Sequence, residues 1–195
     1  MKNSNSINQL YLVLDNIRSL LNVGAIFRTS EAVGVKKIFL CGTTTYPTNK
    51  LIKKIDGVDI EPISADKNGN PIIKYRPSKK CLKEFLDKEI AKTALAGLNN
   101  VEWEYCVQTK DAIELLKKDK VNIIALEQSE NSVDYCDANY SSPVSIIVGN
   151  EVLGISETIL SLCDQVVQIP MHGVGKSLNV ATATGIVLYK TIEKR

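Results

Sequence analysis

Short apolar runs recur along the chain, and helix-length segments separate most of them. The runs occupy residues 10–14, 37–42, 121–126, 144–148 and 166–169. Runs of this length are typical of strands that are buried within a parallel sheet. The other segments predict helices at 23–33, 111–118, 156–162 and 178–192, with Gly34 as a C-cap and Ser156 as an N-cap. Strands that alternate with helices predict an α/β fold, in which a mostly parallel sheet is flanked by helices.

Residues 50–91 interrupt this alternation. Asn68 and Gly69 lie between two apolar runs, and an Asn-Gly pair favours a tight hairpin because both turn positions need positive φ. Apolar residues at helical spacing follow, from Leu82 to Ile90. We therefore expect one domain, residues 1–195, with an inserted hairpin and helix at 50–91. The insertion is rich in Lys and Arg, so it either contacts RNA or packs on the edge of the domain.

The composition of the 195-residue chain is that of a globular protein, with 44% hydrophobic and 24% charged residues. No apolar run approaches the roughly 20 residues of a transmembrane helix, so we expect no membrane span. The five cysteines form no Cys-x-x-Cys pair and leave one thiol over. This pattern argues against both a zinc site and a secreted disulfide framework. It predicts a cytoplasmic protein without a bound metal.

The near-neutral net charge conceals an uneven distribution. Residues 1–92 hold 16 Lys and Arg against nine Asp and Glu, a net charge of +7. Residues 93–195 hold eight against 13, a net charge of −5. Such asymmetry indicates either a face that binds a polyanion or two solvated faces of unequal sign.

Three segments place polar residues after predicted strands, where open α/β sheets bind their ligands. In the first segment, Asn22 and Gly24 open a helix, and Arg28 lies one turn further along. The planar guanidinium of Arg28 suits a phosphate, and a surface arginine is the alternative. In the second segment, Glu151 lies between two glycines that are five residues apart. This spacing differs from the dinucleotide fingerprint Gly-x-Gly-x-x-Gly, so no such cofactor is predicted from it.

The third segment follows the last predicted strand and contains a Gly-x-Gly-Lys-Ser string. A phosphate-binding P-loop needs a glycine at position 170, where this chain has Pro170. We therefore do not predict an NTPase. His172 is the single histidine, but no carboxylate nearby in the sequence could orient it as a general base.

These three segments together resemble a known family. They are residues 22–29, residues 147–155, and residues 169–171 with 177–181. In this order they resemble the three signature motifs of the SpoU/TrmH-type RNA ribose 2′-O-methyltransferases of the SPOUT superfamily. The resemblance implies a C-terminal trefoil knot in the α/β domain, S-adenosylmethionine as the cofactor bound in the knot loops, and a homodimer. It also implies that the substrate is the ribose 2′-hydroxyl of a tRNA or an rRNA.

Motif matching then assigns site residues one by one. The resemblance implies that the cofactor is bound by Leu126, Gly149, Ile169, Met171, Ser177 and Leu178. The matched catalytic positions are Arg28, Asn22, Glu151, Ser177 and Asn179. Arg28 matches the arginine to which the family assigns activation of the ribose hydroxyl. Because arginine is almost always charged, a more conservative role for Arg28 is to hold the adjacent phosphate and to stabilise the developing alkoxide.

Two alternatives to a ribose methyltransferase stay open at this point. One is an RNA-binding module of the same fold that has lost catalysis, and the other is an RNA base methyltransferase of the same superfamily. The first is disfavoured because Arg28, Glu151, Ser177 and Asn179 are retained, and these are the positions at which decay would be expected to begin. The segment 22–28 favours the ribose type over the second.

Overall fold

The computed structural model describes residues 9–46, 88, 90–95 and 97–193. Seven strands and five helices of stated bounds follow one another in this part of the chain, and residues 88 and 90–94 are helical as well. The strands are β1 (Leu10–Asp15), β2 (Lys37–Cys41), β3 (Glu102–Cys106), β4 (Asn122–Leu126), β5 (Val133–Asp134), β6 (Val144–Val148) and β7 (Gln165–Gln168). The helices are α1 (Leu20–Val33), α2 (Gly97–Asn100), α3 (Thr109–Lys118), α4 (Glu157–Leu160) and α5 (Val180–Glu193).

The seven strands form one sheet in the order β3-β2-β1-β6-β4-β7-β5, and every pairing in it is parallel. The predicted parallel α/β fold is therefore confirmed. Because all the strands run in the same direction, the ends of β1, β2, β4, β6 and β7 meet at one edge of the sheet, where we expect ligands to bind. The trefoil knot that the resemblance implies stays a prediction.

The central strands are buried on both faces, which explains their continuous apolar runs. Leu10, Leu12 and Leu14 of β1 belong to one core cluster, together with apolar side chains of α1 and α5. Tyr11 and Val13, which point to the other face, belong to a second cluster with side chains of α3 and α4. Successive side chains of a strand alternate between faces, so one strand contributes to both layers of helices.

Helix boundaries differ from the predictions by a few residues. The helix α1 begins three residues earlier than predicted, and the Ser19 hydroxyl caps it by accepting the Asn22 N–H at 3.3 Å. Gly34 ends α1 with φ of +80°, as the C-cap prediction requires. Ser156 is the N-cap of α4, but its side chain makes no capping hydrogen bond, and α4 ends at Leu160.

The strand β3 was not predicted, because it is an edge strand. Its burial alternates, and Glu102 and Glu104 both pair with Lys37 of β2, at 3.2 and 2.8 Å between nitrogen and oxygen. A short strand with charged residues on one face lacks the apolar run that marked the central strands.

The predicted hairpin of the insertion at 50–91 lies outside the described residues, as does most of its predicted helix. Ile90, at the end of that predicted helix, is helical and fully buried. In the part of the chain that the structure describes, no helix is long and apolar enough to cross a membrane.

Candidate active site

A cavity of about 450 Å³ lies beyond the carboxyl ends of β4, β6 and β7, and we call it the C-terminal cavity. The residues that line it come from these strand ends, from the loop 149–154 and from the segment 177–183 that opens α5. All six residues predicted to bind a cofactor line this cavity. They are Leu126, Gly149, Ile169, Met171, Ser177 and Leu178.

The loop after β6 folds back on the end of its own strand. A Cβ atom on Gly149 would lie 2.5 Å from Cγ1 of Ile155 and 2.6 Å from the carbonyl carbon of Gly154. Residues Asn150 and Gly154 form an antiparallel bridge across the loop. Only a residue without a side chain fits position 149 in this turn, because a Cβ would overlap the backbone.

Two polar side chains anchor the loop at its ends. The side chain of Asn150 donates from Nδ2 to the backbone oxygen of Asn16 at 2.8 Å, and its Oδ1 accepts the N–H groups of Val152 and Leu153. At the other end, Oε2 of Glu127 accepts the N–H of Ile155 at 2.8 Å. Sequence reasoning missed Glu127, although a carboxylate that directly follows a buried strand is a signal of its own.

One hydrogen-bond network connects the three predicted motifs, and we call Asn22, Glu151 and Asn179 the Asn22 network. Nδ2 of Asn179 donates to Oδ1 of Asn22 at 3.0 Å, and Nδ2 of Asn22 donates to Oε1 of Glu151 at 2.9 Å. The ionised carboxylate of Glu151 can only accept, so it fixes the orientation of the Asn22 amide. Oδ1 of Asn179 accepts the N–H of Ala181 at 2.9 Å, so the same residue also caps α5.

The Glu151 carboxylate is held by donors from the first motif. Its oxygens accept the backbone N–H groups of Arg18 and Ser19, at 3.4 and 3.3 Å, as well as the Asn22 amide. Burial raises the pKa of Glu151, but these hydrogen bonds outweigh it, and the pKa lies below its usual value. Glu151 is therefore ionised at neutral pH.

The structure brings four of the five predicted catalytic residues together and leaves Arg28 apart. Glu151, Ser177 and Asn179 line the C-terminal cavity, and Asn22 contacts two of them. Arg28 lies six residues after Asn22 in α1, which places it about 9 Å further along the axis and about 120° around it. Its side chain is exposed and does not line the cavity.

A groove between α1 and α5 adjoins this site, and we call it the helical groove. Small side chains line most of it, and Tyr189, which is half exposed, lies among them. Asn22 and Asn179 also line the groove, so it reaches the Asn22 network. His172 is exposed and lines neither depression. Within the described ranges, no group of three or more His, Cys, Asp and Glu residues could hold a metal ion.

Comparison with known proteins points to one family. The sequence profile described as the SpoU rRNA Methylase family matches residues 74–189. The tRNA (guanosine(18)-2′-O)-methyltransferase of Aquifex aeolicus is 28% identical over 95% of this chain and 70% of its own length. The enzyme of the same name from Escherichia coli K12 is 39% identical over 109 residues, which are 53% of this chain and 45% of that protein.

A solved structure agrees with these sequence relatives. The AdoMet-bound rRNA methyltransferase of Sinorhizobium meliloti superimposes with a TM-score of 0.72 and 25% identity, over 95% of this chain and 56% of that one. The chain thus spans about half the length of some relatives and more than two thirds of the Aquifex enzyme. With the profile match over more than half of its residues, the chain belongs to the SpoU rRNA methylase family.

Proposed function

We propose that this chain transfers the methyl group of S-adenosylmethionine to a ribose 2′-hydroxyl of a tRNA or an rRNA. The observation that carries the proposal is the Asn22 network, which joins one residue from each of the three motifs at the mouth of the C-terminal cavity. The relatives named as guanosine 2′-O-methyltransferases support the same reaction. One of them is named for tRNA and another for 23S rRNA.

The C-terminal cavity fits the proposed cofactor in size and in chemistry. Its volume falls within the roughly 300–1,000 Å³ that is typical of small-molecule sites. Leu126, Ile169 and Leu178 supply apolar walls for a flat base, and the carboxylates of Glu127 and Glu151 suit a cationic ligand. S-adenosylmethionine supplies an electrophilic methyl group on a positively charged sulfonium.

The residues of the chain would position the ribose and stabilise its alkoxide. A ribose hydroxyl is a poor nucleophile at neutral pH, so it must lose its proton, to the adjacent RNA phosphate or to a water, as it attacks. The Glu151 carboxylate is a weak base, because three N–H donors already stabilise its charge. We therefore propose that Glu151 positions Asn22. The side chains of Asn22, Ser177 and Asn179 would contact the ribose. Correct placement for in-line attack supplies much of the rate.

A second copy of the chain would bring Arg28 to the site. The helical groove has small residues, including Ala25, Ala181 and Gly185, that allow close approach of another helix, and its exposed Tyr189 offers an apolar anchor. A homodimer through this groove would abut the Asn22 network, because Asn22 and Asn179 line both. We propose that Arg28 of each copy then holds the RNA phosphate at the site of its partner.

Mixing two inactive variants tests this arrangement. We expect Arg28→Ala to abolish methyl transfer while S-adenosylmethionine still binds, and Asn179→Ala to abolish transfer by disrupting the Asn22 network. If Arg28 acts across the interface, each mixed dimer has one intact site, and a statistical mixture recovers up to about a quarter of the wild-type rate. No recovery from the mixture, with dimers proven by sedimentation, would place Arg28 in the site of its own copy or outside the mechanism.

The product identifies the reaction. With radiolabelled S-adenosylmethionine and transcribed tRNA or 23S rRNA, a ribose methyl makes the adjacent phosphodiester resistant to alkali, because the 2′-oxygen can no longer attack it. Label on an alkali-labile nucleotide would indicate a base methyltransferase. RNA binding without any transfer would indicate the inactive RNA-binding module. The cytoplasmic location that the cysteine pattern predicts stays a prediction, as do the single-domain organisation and the RNA contact of the insertion.

A further inference from the structure

A second cavity lies at the same edge of the sheet, beyond the ends of β1, β2 and β3. We call it the N-terminal crevice, and its volume is about 540 Å³. Asn150 and Gly154 line both the crevice and the C-terminal cavity. The loop after β6 is therefore a wall between two adjoining cavities, only one of which the proposed chemistry uses.

The polar lining of the N-terminal crevice is cationic. Arg18 and Lys110 reach it from the β1–α1 connection and from the start of α3. The guanidinium of Arg18 has no hydrogen-bond or ion-pair partner among the described residues, and Lys110 forms only an exposed pair with Glu114 at 3.5 Å. Asp15 is the one acidic lining residue in the described chain, and its carboxylate is buried and accepts hydrogen bonds from Thr109 and Asn16. Two available cations suit a phosphate.

Apolar side chains stand exposed beside these cations. Val107 is 71% exposed and Leu153 is 80% exposed, and both line the crevice, although they come from different loops. Exposed apolar residues that converge on one cavity indicate a ligand with an apolar surface. An inorganic anion has no such surface, whereas a nucleotide combines a phosphate with the apolar face of a base.

Arg18 connects the crevice with the proposed reaction site. The backbone N–H of Arg18 donates to Glu151, so the residue that offers its guanidinium to the crevice also holds the Asn22 network. An RNA strand whose ribose lies at Asn22 would therefore pass a neighbouring nucleotide close to Arg18. We propose that the N-terminal crevice binds an RNA nucleotide that flanks the methylated one, with Arg18 and Lys110 on its phosphate and Val107 and Leu153 against its base. This inference rests on the proposed function.

The salt dependence of RNA binding distinguishes the phosphate contacts of Arg18 and Lys110 from the apolar contacts of Val107 and Leu153. We would measure filter binding of transcribed tRNA and of a 23S rRNA fragment across a salt series, with the full chain. Removing both cations in Arg18→Ala/Lys110→Ala should weaken binding and lower the slope of log affinity against log salt by about one unit or less per lost contact. Val107→Ser should weaken binding without changing the slope, because an apolar contact releases no counterions. The matched control is Lys117→Ala/Lys118→Ala, which removes the same charge at the opposite end of α3.

Two further measurements show whether a change in RNA binding comes from the crevice or from damage to the fold or to the cofactor site. Calorimetric affinity for S-adenosylmethionine should be unchanged in all variants, and thermal unfolding checks that they fold. If the wild type methylates RNA and the Arg18→Ala/Lys110→Ala variant keeps the slope of the control, the inference is wrong while the proposed function stands. If the wild type neither binds nor methylates either RNA, the proposed function is wrong, and the inference falls with it.

Discussion

The C-terminal cavity and the N-terminal crevice adjoin at one edge of the sheet, yet they carry opposite charge. Glu127 and Glu151 line the cavity, whereas Arg18 and Lys110 line the crevice. No Lys or Arg lines the cavity among the described residues. The difference matches the two ligands of the proposed reaction, since the sulfonium cofactor is positive and the RNA backbone is negative. A single loop, anchored by Asn150 and Glu127, keeps the two environments separate.

The two regions also treat their carboxyl groups differently. Glu151 beside the cavity is exposed and receives three N–H donors, so its pKa is lowered in spite of some burial. Asp15 below the crevice is buried, and burial raises its pKa more than the hydrogen bonds from Thr109 and Asn16 lower it. Glu151 is therefore stabilised as an anion that organises the first motif, whereas burial disfavours the anionic form of Asp15.

The largest expected effect comes from a substitution that displaces the loop after β6 from the C-terminal cavity while leaving the two cations of the crevice in place. In Gly149→Ala the new Cβ would overlap Ile155 and Gly154, so the loop must shift. We expect a loss of stability of about 1–3 kcal/mol and at least a roughly tenfold loss of affinity for S-adenosylmethionine. The salt slope of RNA binding should not change. Gly173→Ala is the matched control, because nothing lies within 4 Å of its Cβ position. Equal cofactor affinity in the two variants would contradict the role of the loop.

A smaller effect is expected from the anchor that sequence reasoning missed. Glu127→Ala removes the acceptor of the Ile155 N–H, and we expect about tenfold weaker binding of S-adenosylmethionine, as is typical of a lost hydrogen bond to a charged group. Glu127→Gln keeps an oxygen acceptor and should recover part of the loss. Glu130→Ala, an exposed residue outside the cavity, is the control for calorimetric titration. If the Gln variant binds no better than the Ala variant, the charge of Glu127 matters and the anchor does not.

Sequence reasoning predicted the buried parts of the fold better than the exposed parts. The central strands were predicted because burial on both faces forces a continuous apolar run, as in β1 and β6. The edge strand β3 was missed because its outer residues are charged. Gly34 was predicted as a C-cap because only a residue tolerant of positive φ fits there. Asn179 was missed as the cap of α5 because the apolar pattern placed the start of that helix at Leu178, although Asn is a favoured N-cap residue.

The candidate site depends still more on tertiary contacts. The resemblance supplied the residues that line the C-terminal cavity, but Asn22 and Asn179 are 157 positions apart, and no spacing rule predicts their hydrogen bond. The resemblance also grouped Arg28 with the other catalytic candidates. Within one copy, however, Arg28 does not line the cavity that Glu151, Ser177 and Asn179 line. A motif gives residue types in order along the chain, and it does not say whether those residues act within one copy or, as we propose for Arg28, across two.

The buried carboxyl of Asp15 should make stability fall as pH rises. Its pKa is raised in the folded state, so the folded chain holds its proton more tightly than the unfolded chain does. As pH rises from the unfolded-state pKa of about 3.9 through the higher folded value, ionisation of Asp15 therefore costs the folded state free energy. Asp15→Asn removes this titration, and we expect the stability of the variant relative to the wild type to rise over that range in urea unfolding. A difference that stays constant with pH would contradict the buried-acid interpretation.

The smallest expected effect has the opposite sign and belongs to Glu151. Its pKa is lowered in the folded state, so the stabilisation that its anion gives is present above the unfolded-state pKa of about 4.3 and is lost as pH falls through the lower folded value. We expect the wild type to exceed Glu151→Gln in urea stability near neutral pH and to lose that advantage in acid. The difference should be small because the carboxylate is exposed and solvent screens its interactions. Glu130→Gln is the control. If the stability of Glu151→Gln relative to the wild type rose with pH, as we expect for Asp15→Asn, the two regions would not differ in how they hold their carboxyl groups.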